Sequence, residues 1–221
     1  MAKGKLIVIE GIDGSGKSTQ FDLLCNRLAE DRLDFRRLAF PRYSEPSSML
    51  LRMYLAGEFG EDPSSVNAYA ASSFFAVDRY ASYKQDWGSY YEAGGLILTD
   101  RYTTSNAVHQ GAKLTKEERG PFFDWLYNYE FELLCLPAPD LVVFLDIDAG
   151  SAARRLSLRQ AQTGSGGDIH ENDQAYLRDC AASAGQASAH FGWAAVSCLA
   201  GAAERDVYDI HSQIMSMLSL R

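Results

Sequence analysis

The fold of this chain is decided by the stretch LIVIEGIDGSGKS, residues 6–18. Its first four residues are apolar and mostly β-branched, which predicts a short buried strand. Residues 11–18 satisfy the pattern G-x-x-x-x-G-K-[ST], and a helical pattern begins at Lys17. Apolar side chains recur there at helical spacing, at Phe21, Leu24, Cys25 and Leu28. The order strand, glycine-rich loop, helix is the context in which this pattern forms a phosphate-binding P-loop.

The P-loop predicts a site for a nucleoside triphosphate. Its glycines allow backbone N–H groups to surround phosphate oxygens, and the following helix N-terminus favours negative charge. Lys17 is expected to reach the β- and γ-phosphates, and the Ser18 hydroxyl to bind Mg²⁺. Asp13 is either a turn-favouring residue or a group that approaches Mg²⁺ or the sugar of an acceptor. The predicted ATP-binding residues are Gly11, Ile12, Asp13, Gly14, Ser15, Gly16, Lys17, Ser18 and Thr19.

Length and charge narrow the class of protein. The 221 residues are enough for one well-cored domain, so we predict a single domain over residues 1–221. The 21 Lys and Arg against 29 Asp and Glu leave a net charge of −8, which argues against a nucleic acid polymer as partner. We find no signal sequence or membrane span. The four cysteines show no CxxC pairing and are expected to be reduced thiols in a cytoplasmic protein.

Further apolar runs alternate with helical patterns along the chain. Strands are predicted at residues 35–40, 96–99, 141–145 and 194–198, with helices between them. Pro63 is expected to open a long helix that ends near residues 94–95, in which Phe74 is assigned to the core. The pattern predicts an α/β fold with a five-stranded parallel sheet and helices on both faces, a three-layer arrangement.

Several short motifs together resemble thymidylate kinase. These are residues 9–20, the sequence FPRY at 40–43, the pair Asp78-Arg79 after Phe75, and the sequence DRY at 100–102 followed by Ser105-Asn106. Their order and spacing match that family from end to end. The resemblance implies a P-loop nucleoside monophosphate kinase fold with a mobile lid at about residues 157–173. It also implies Mg²⁺-dependent transfer of the γ-phosphoryl group of ATP to dTMP, giving dTDP and ADP, by a homodimer.

The acceptor site is predicted from the same resemblance. Phe75 and Arg79 are four residues apart on one helix and therefore share a face, so the ring can stack on a pyrimidine while the guanidinium donates to its carbonyl. The resemblance assigns these contacts to thymine and assigns Arg42 to the acceptor phosphate. His109 stands where relatives often carry an aromatic that crowds the 2′ carbon of the sugar. The full predicted set is Asp13, Phe40, Pro41, Arg42, Tyr43, Phe75, Arg79, Arg101, Ser105, Asn106, His109, Gln110 and Glu171.

The catalytic groups are expected at the carboxyl end of the third strand, where ligands bind in open α/β sheets. By resemblance, Arg101 bridges the two sets of phosphates, and Asp100 orients the acceptor phosphate or a metal-bound water. Because the acceptor is itself a phosphate, no strong general base is required. The predicted catalytic residues are Lys17, Asp100, Arg101 and Arg159, and the predicted Mg²⁺ ligands are Ser18, Asp13 and Asp100.

The lid is expected to supply one catalytic arginine, because residues 12–15 of the P-loop and the glycine-rich lid tip contain no basic residue. Arg155 and Arg159 share a face of the preceding helix, and we favour Arg159 because it is nearer the lid. Glu171 is carried over as an acid at the lid exit.

Three alternative functions are open to a P-loop protein of this size. A related deoxynucleoside kinase or another nucleoside monophosphate kinase would share the fold, but the sequences at 40–43 and 100–106 weigh against it. A GTPase switch would need a guanine-specifying N-K-x-D element, which we do not find. A nucleotide-binding protein without catalysis is opposed by Lys17, Asp100 and Arg101.

Overall fold

The computed structural model describes residues 3–60, 62–163 and 174–218. A five-stranded parallel sheet forms the centre of the molecule, with the strand order β2-β3-β1-β4-β5. Its strands are β1 (Lys5–Glu10), β2 (Phe35–Ala39), β3 (Leu96–Asp100), β4 (Leu141–Asp146) and β5 (Ala194–Ser197). The predicted fold class is therefore confirmed.

Helices connect the strands and cover the sheet. They are α1 (Lys17–Glu30), α2 (Met49–Leu55), α3 (Ala68–Ser82), α4 (Gly88–Glu92), α5 (Thr103–His109), α6 (Lys116–Tyr127), α7 (Ala149–Thr163), α8 (Gln174–Phe191) and α9 (Val207–Met217). Shorter elements are the 3₁₀ turns Pro46–Ser48, Pro63–Ser65 and Gly111–Lys113, and the π-helical turns Tyr83–Trp87 and Asn128–Leu133. Within the described ranges, none of the helices combines the length and apolar character that a membrane span requires.

The central strand β1 is buried on both faces because its side chains alternate between two hydrophobic clusters. Ile7 and Ile9 pack with side chains of α1, α8 and α9. Leu6 and Val8 pack on the opposite face, in a cluster that includes Trp87. An unbroken apolar run in the sequence thus corresponds to a strand with a core on each side.

The register of β1 and β3 positions the functional residues. Ile9 is paired with Asp100, so the two strands end side by side at the carboxyl edge of the sheet. The backbone N–H of Arg101 continues this pairing and donates to the Ile9 carbonyl at 3.2 Å. The P-loop and the residues that follow β3 therefore begin next to each other.

Several predicted boundaries were wrong. The long helix begins at Ala68 and not at Pro63, because Asn67 caps it by accepting a hydrogen bond from the Ala70 N–H at 2.9 Å. Phe74 is half-buried against Tyr54 and Phe59 and does not belong to the core.

The C-terminal part of the chain also differs from prediction. The sequence analysis missed the antiparallel hairpin of β6 (Leu199–Ala200) and β7 (Ala203–Glu204), after which α9 begins at Val207. Asp206 caps this helix through the Tyr208 N–H at 2.8 Å. In the predicted lid, residues 157–163 continue α7, while residues 164–173, including Glu171, lie outside the described residues.

Candidate active site

The P-loop adopts the conformation that its glycines predict. Gly14 and Gly16 have φ angles of 82° and 94°, in the left-handed region that favours glycine. A Cβ atom at Gly14 would lie 2.4 Å from the Ala152 carbonyl oxygen, so close packing against α7 also requires glycine there. The loop is thus shaped both by its own backbone and by the helix behind it.

Lys17 is held inside the loop. Its Nζ donates to the carbonyl oxygens of Gly11 at 2.7 Å and Ile12 at 2.9 Å, and lies 3.6 Å from the Asp13 carboxylate. Burial lowers the pKa of Lys17, and the nearby Arg101 charge lowers it further, while Asp13 opposes this shift. A phosphate group at this site would add negative charge that favours the protonated form of this buried amine.

Two cavities open on either side of Asp13 and Arg101. The first, which we call the P-loop cleft, has a volume of about 510 Å³. It is lined by residues 13–20, Asp100, Arg101, Leu145, Arg155, Leu156, Cys198, Glu204, Arg205, Val207 and Ile210. The second, the aromatic cavity, has a volume of about 190 Å³. It is lined by Asp13, Phe40, Pro41, Tyr43, Leu55, Phe75, Arg79, Arg101, Tyr102, Ser105, Asn106, His109, Gln110 and Tyr176. Because both linings contain Asp13 and Arg101, groups bound in the two cavities would meet at these side chains.

Arg101 stands at this junction in a strained backbone conformation. Its φ angle of 68° lies in the left-handed region, which non-glycine residues rarely adopt and which is often found at functional sites. Its guanidinium contacts the Asp13 carboxylate and lies 2.8 Å from His109 Nε2. Since a guanidinium only donates, Nε2 must accept, which leaves the His109 proton on Nδ1, 3.7 Å from the Cys180 sulfur.

The charge of Asp13 is fixed by its neighbours. Burial raises the pKa of Asp13, but the positive charges of Arg101 and Lys17 outweigh burial and hold the pKa far below its usual range. Burial likewise opposes the charged form of Arg101, but Asp13 and Glu10 keep its pKa above the ordinary value. The three side chains therefore form a charged group at the junction. Asp13 faces two cations here, which favours its predicted acceptor-side role over the predicted metal role.

Asp100 and Ser18 fit a Mg²⁺ site better. The Ser18 hydroxyl donates to Asp100 Oδ2 across 3.5 Å, and Asp100 Oδ1 is buried with no hydrogen-bond partner among the described residues. No group of three or more acidic, histidine or cysteine side chains with metal-binding geometry occurs in the described part of the chain. Mg²⁺ in phosphotransferases uses one or two protein ligands and takes the rest from phosphates and water, so Ser18 and Asp100 would be enough protein ligands for it.

Glu10 links the P-loop to α5 and was missed by the sequence analysis. Its fully buried carboxylate accepts from the Gly11 N–H at 2.9 Å and from the hydroxyls of Thr104 and Ser105, both at 2.6 Å. Ser105, predicted as a substrate contact, thus has a second, structural partner. The acid lies inside the quoted P-loop stretch, but only the tertiary structure shows what it binds.

The four predicted residues of the turn after β2 do not all line the aromatic cavity. Phe40, Pro41 and Tyr43 line the aromatic cavity. Arg42 is not among the lining residues, because its guanidinium pairs with the buried Asp78 carboxylate at 3.3 Å and its backbone N–H donates to the same carboxylate. The predicted contact between Arg42 and the acceptor phosphate therefore stays a prediction.

Residues on α3 and α5 form the far wall of the aromatic cavity. Phe75 is half-buried in the wall and packs edge-on against Tyr54, with ring centroids 6.3 Å apart. Arg79 lies one turn further along α3 and forms a buried ion pair with Glu130 at 2.5 Å. Gln110 contributes a buried amide oxygen that has no partner in the described ranges. The sequence analysis missed Leu55, Tyr102, Glu130 and Tyr176 as parts of this region.

Of the two candidate lid arginines, Arg155 is the one whose side chain belongs to the described part of the structure. Arg155 lines the P-loop cleft, where its Nη1 donates to the Ser15 carbonyl at 3.0 Å and its Nη2 lies 3.0 Å from the Glu204 carboxylate. Arg159 is one turn further along α7, and its side chain lies outside the described part of the structure.

A P-loop cleft that joins a second, aromatic cavity through shared charged residues, on a five-stranded parallel sheet, defines a P-loop nucleoside monophosphate kinase. Enzymes of this class are transferases that move a phosphoryl group from ATP to a nucleotide.

Comparison with known proteins identifies the family. The thymidylate kinase family model matches residues 9–190. A thymidylate kinase from Mycobacterium tuberculosis is 35% identical over 170 residues, covering 76% of this chain and 78% of the relative. A probable thymidylate kinase from Pyrococcus horikoshii is 32% identical over 161 residues, covering 73% and 74%. The chain belongs to the thymidylate kinase family.

A solved structure supports the fold independently. The thymidylate kinase structure from Candida albicans matches with a TM-score of 0.72 and 24% sequence identity, covering 98% of this chain and 92% of the other. The predicted family, fold and enzyme class are therefore confirmed.

The Asp100 geometry leads to a testable prediction. Replacing Asp100 with Asn removes the negative charge next to Ser18, so the Mg²⁺ concentration that gives half-maximal kinase activity should rise by about tenfold or more. The measurement is a Mg²⁺ titration at fixed ATP. Asp146→Asn is the matched control, because Asp146 is likewise the last residue of a strand, β4, but is exposed and is separated from β3 by β1. An unchanged Mg²⁺ requirement in Asp100→Asn would contradict the assignment.

Proposed function

We propose that this enzyme transfers the γ-phosphoryl group of ATP to dTMP in the presence of Mg²⁺, giving dTDP and ADP. The observation that carries the proposal is the junction at Asp13 and Arg101, which joins a P-loop cleft to a cavity with the aromatic and polar lining that a pyrimidine nucleotide needs. The relatives named as thymidylate kinases support the choice of acceptor.

The aromatic cavity suits a flat base that carries a carbonyl. Phe75 offers a ring face or edge for stacking, and aromatic contacts of this kind contribute about 1 kcal/mol beyond the area that they bury. Arg79 presents guanidinium hydrogens to the same space, which match the carbonyl at position 4 of thymine. The base would lie between α3 and α5, with its phosphate directed toward Arg101.

The chemistry then depends on position and charge. The acceptor phosphate and the γ-phosphate both carry negative charge, and Arg101 lies where the two would approach each other. Lys17 would exchange the Gly11 and Ile12 carbonyls for phosphate oxygens. Mg²⁺, held by Ser18 and Asp100, would neutralise phosphate charge. Such transfer requires no proton abstraction by the protein, because the attacking phosphate oxygen is already ionised.

The proposal is tested by a coupled ADP-release assay across dTMP, dUMP, dCMP, dAMP, dGMP and thymidine. We expect the highest kcat/KM for dTMP and no activity on thymidine. Activity confined to nucleosides would indicate a deoxynucleoside kinase, and inactivity on the whole panel would refute phosphoryl transfer to nucleotides.

We propose Arg159 as the catalytic arginine next to the lid. Arg155 is already bound to the Ser15 carbonyl and to Glu204, whereas Arg159 lies one turn closer to residues 164–173. An arginine that stabilises the transferring phosphoryl group is worth about 10³-fold or more in rate.

Arg159→Ala should therefore lower kcat by about 10³-fold, while Arg155→Ala has a smaller effect. Single-turnover kinetics at saturating substrates measure the difference. Arg154→Ala is the control on the same helix, since Arg154 is exposed and bonds only to Ser151 among the described residues. If Arg159→Ala keeps kcat within a few-fold of the parent enzyme and Arg155→Ala does not, the role belongs to Arg155.

We also propose a homodimer formed through the exposed face of α3. Tyr69, Val77 and Tyr80 are 41%, 47% and 39% exposed, and helical spacing places them on one side of α3. The opposite side carries the buried Asp78 and Arg79. Several exposed apolar side chains on one side of a helix are typical of an interface. Pairing through this face would support the helix that carries the base-binding residues.

Val77→Glu should convert the dimer to a monomer, because each interface would bury an unpaired charge. Light scattering coupled to size-exclusion chromatography gives the mass directly. Leu133→Glu, at an apolar side chain that is 69% exposed on another surface, should remain dimeric. A monomeric parent protein, or a dimeric Val77→Glu variant, would refute this interface.

We place the enzyme in the cytoplasm, where thiols stay reduced. Cys25, Cys135, Cys180 and Cys198 are all free thiols, which supports this location.

A further inference from the structure

We infer that Glu130 positions Arg79 and thereby sets which pyrimidine bases the aromatic cavity accepts. The inference rests on the proposed function of Arg79 as a donor to the base, and it extends that function to a residue on a different element. Glu130 belongs to the π-helical turn Asn128–Leu133 that follows α6, and it is not among the residues that line the cavity.

The carboxylate of Glu130 is surrounded by donors. Arg79 Nε donates to Oε2 at 2.7 Å and Nη2 donates to Oε1 at 2.5 Å, which is a two-point contact between the guanidinium and the carboxylate. The Thr103 hydroxyl donates to Oε2 at 2.7 Å, and the Asn106 amide lies 3.4 Å from Oε1. Glu130 has no exposed surface, so these contacts replace water entirely.

The donors come from two helices that both line the cavity. Arg79 belongs to α3, and Thr103 and Asn106 belong to α5. Glu130 thus joins the helix that presents the base-stacking Phe75 to the helix that presents Ser105 and His109. A buried ion pair is by itself weak support for stability, because desolvation offsets much of the attraction. Its two-point geometry is better explained by a positioning role, because the two hydrogen bonds fix the orientation of the Arg79 guanidinium.

The contact decides which guanidinium hydrogens face the cavity. Glu130 occupies the Nε–Nη2 edge of Arg79 and leaves Nη1 outside this contact, 3.4 Å from the Tyr102 carbonyl oxygen, in a side chain that lines the cavity. Nη1 carries two hydrogens, and Tyr102 is its one acceptor in the described part of the protein. One hydrogen on Nη1 and the second hydrogen on Nη2 therefore remain for a ligand, in directions that are fixed by the two-point contact.

A fixed donor discriminates between bases by hydrogen-bond polarity. Thymine and uracil carry a carbonyl acceptor at position 4, whereas cytosine carries an amino donor there. A cytosine amino group facing the oriented guanidinium would leave two buried donors unpaired, which costs binding free energy. Without the contact to Glu130, the Arg79 side chain could rotate away from the base. Binding of thymine would then weaken, and the cavity would discriminate less strongly against cytosine.

The test compares Glu130→Gln with Glu132→Gln, an exposed glutamate on the same turn. Steady-state kinetics with dTMP, dCMP and ATP give each KM and the ratio of kcat/KM for dTMP to that for dCMP. We expect Glu130→Gln to raise the dTMP KM and to lower the dTMP:dCMP ratio, each by about tenfold, with the ATP KM changed less than about twofold. Glu132→Gln should match the parent enzyme.

Thr103→Val is a second variant, which removes one donor to Glu130 but keeps the ion pair and the side-chain shape. It should raise the dTMP KM by about threefold in a fully folded protein, and thermal melting of each variant checks folding. If Glu130→Gln does not fold, this variant decides: unchanged dTMP kinetics would then overturn the inference.

Two other outcomes would also overturn it. One is a folded Glu130→Gln variant with parental base selectivity. The other is a folded variant in which the KM values for dTMP and ATP rise equally, which would indicate a general structural role. Failure of the proposed function is seen separately, because the parent enzyme would then show no preference for dTMP, or Arg79→Ala would leave its dTMP KM unchanged.

Discussion

The parallel pairing of β1 with β3 is the constraint on which the rest of the site depends. Ile9 lies opposite Asp100, so the P-loop leaves one strand where Asp100 and Arg101 leave the other. Apolar side chains packed in a core on each face hold this register, because a shift of either strand would disrupt the close packing of both cores. The junction between the two cavities follows directly, since Arg101 comes directly after β3 and Asp13 lies three residues after the end of β1.

Buried charge is the second organising feature, and it is arranged in groups that compensate one another. Lys17, Asp13 and Arg101 form one group at the junction, and Arg79 with Glu130 forms another beside the aromatic cavity. Isolated charges in such places would be neutralised or would destabilise the fold. Because they are paired, these side chains keep defined orientations, which electrostatic catalysis and base selection both need. The net negative charge of the chain is therefore compatible with binding phosphates.

Sequence patterns were most informative where one short stretch contains all the partners of an interaction. The P-loop is of this kind, since its glycines, Lys17 and Ser18 act through a single loop and helix. Patterns were least informative at element boundaries and at long-range polar contacts. Asn67 moves the start of α3 away from Pro63 through a local side-chain cap, and Arg42 pairs with Asp78 across 36 positions of the chain. Glu130 shows no sequence signal, because the residues that it binds lie on two other helices.

The sequence by itself determined the fold class and the phosphate-binding loop, because periodicity and motif spacing are local properties of the chain. Its resemblance to a family also indicated most of the residues that line the aromatic cavity. Only the tertiary structure decided how those residues are used. It showed that Asp13 faces Arg101 and Lys17, that Asp100 has a free buried oxygen beside Ser18, and that Glu10 ties the P-loop to α5. The physical reason is that orientation and charge state depend on desolvation and on neighbours from distant segments, which no local pattern specifies.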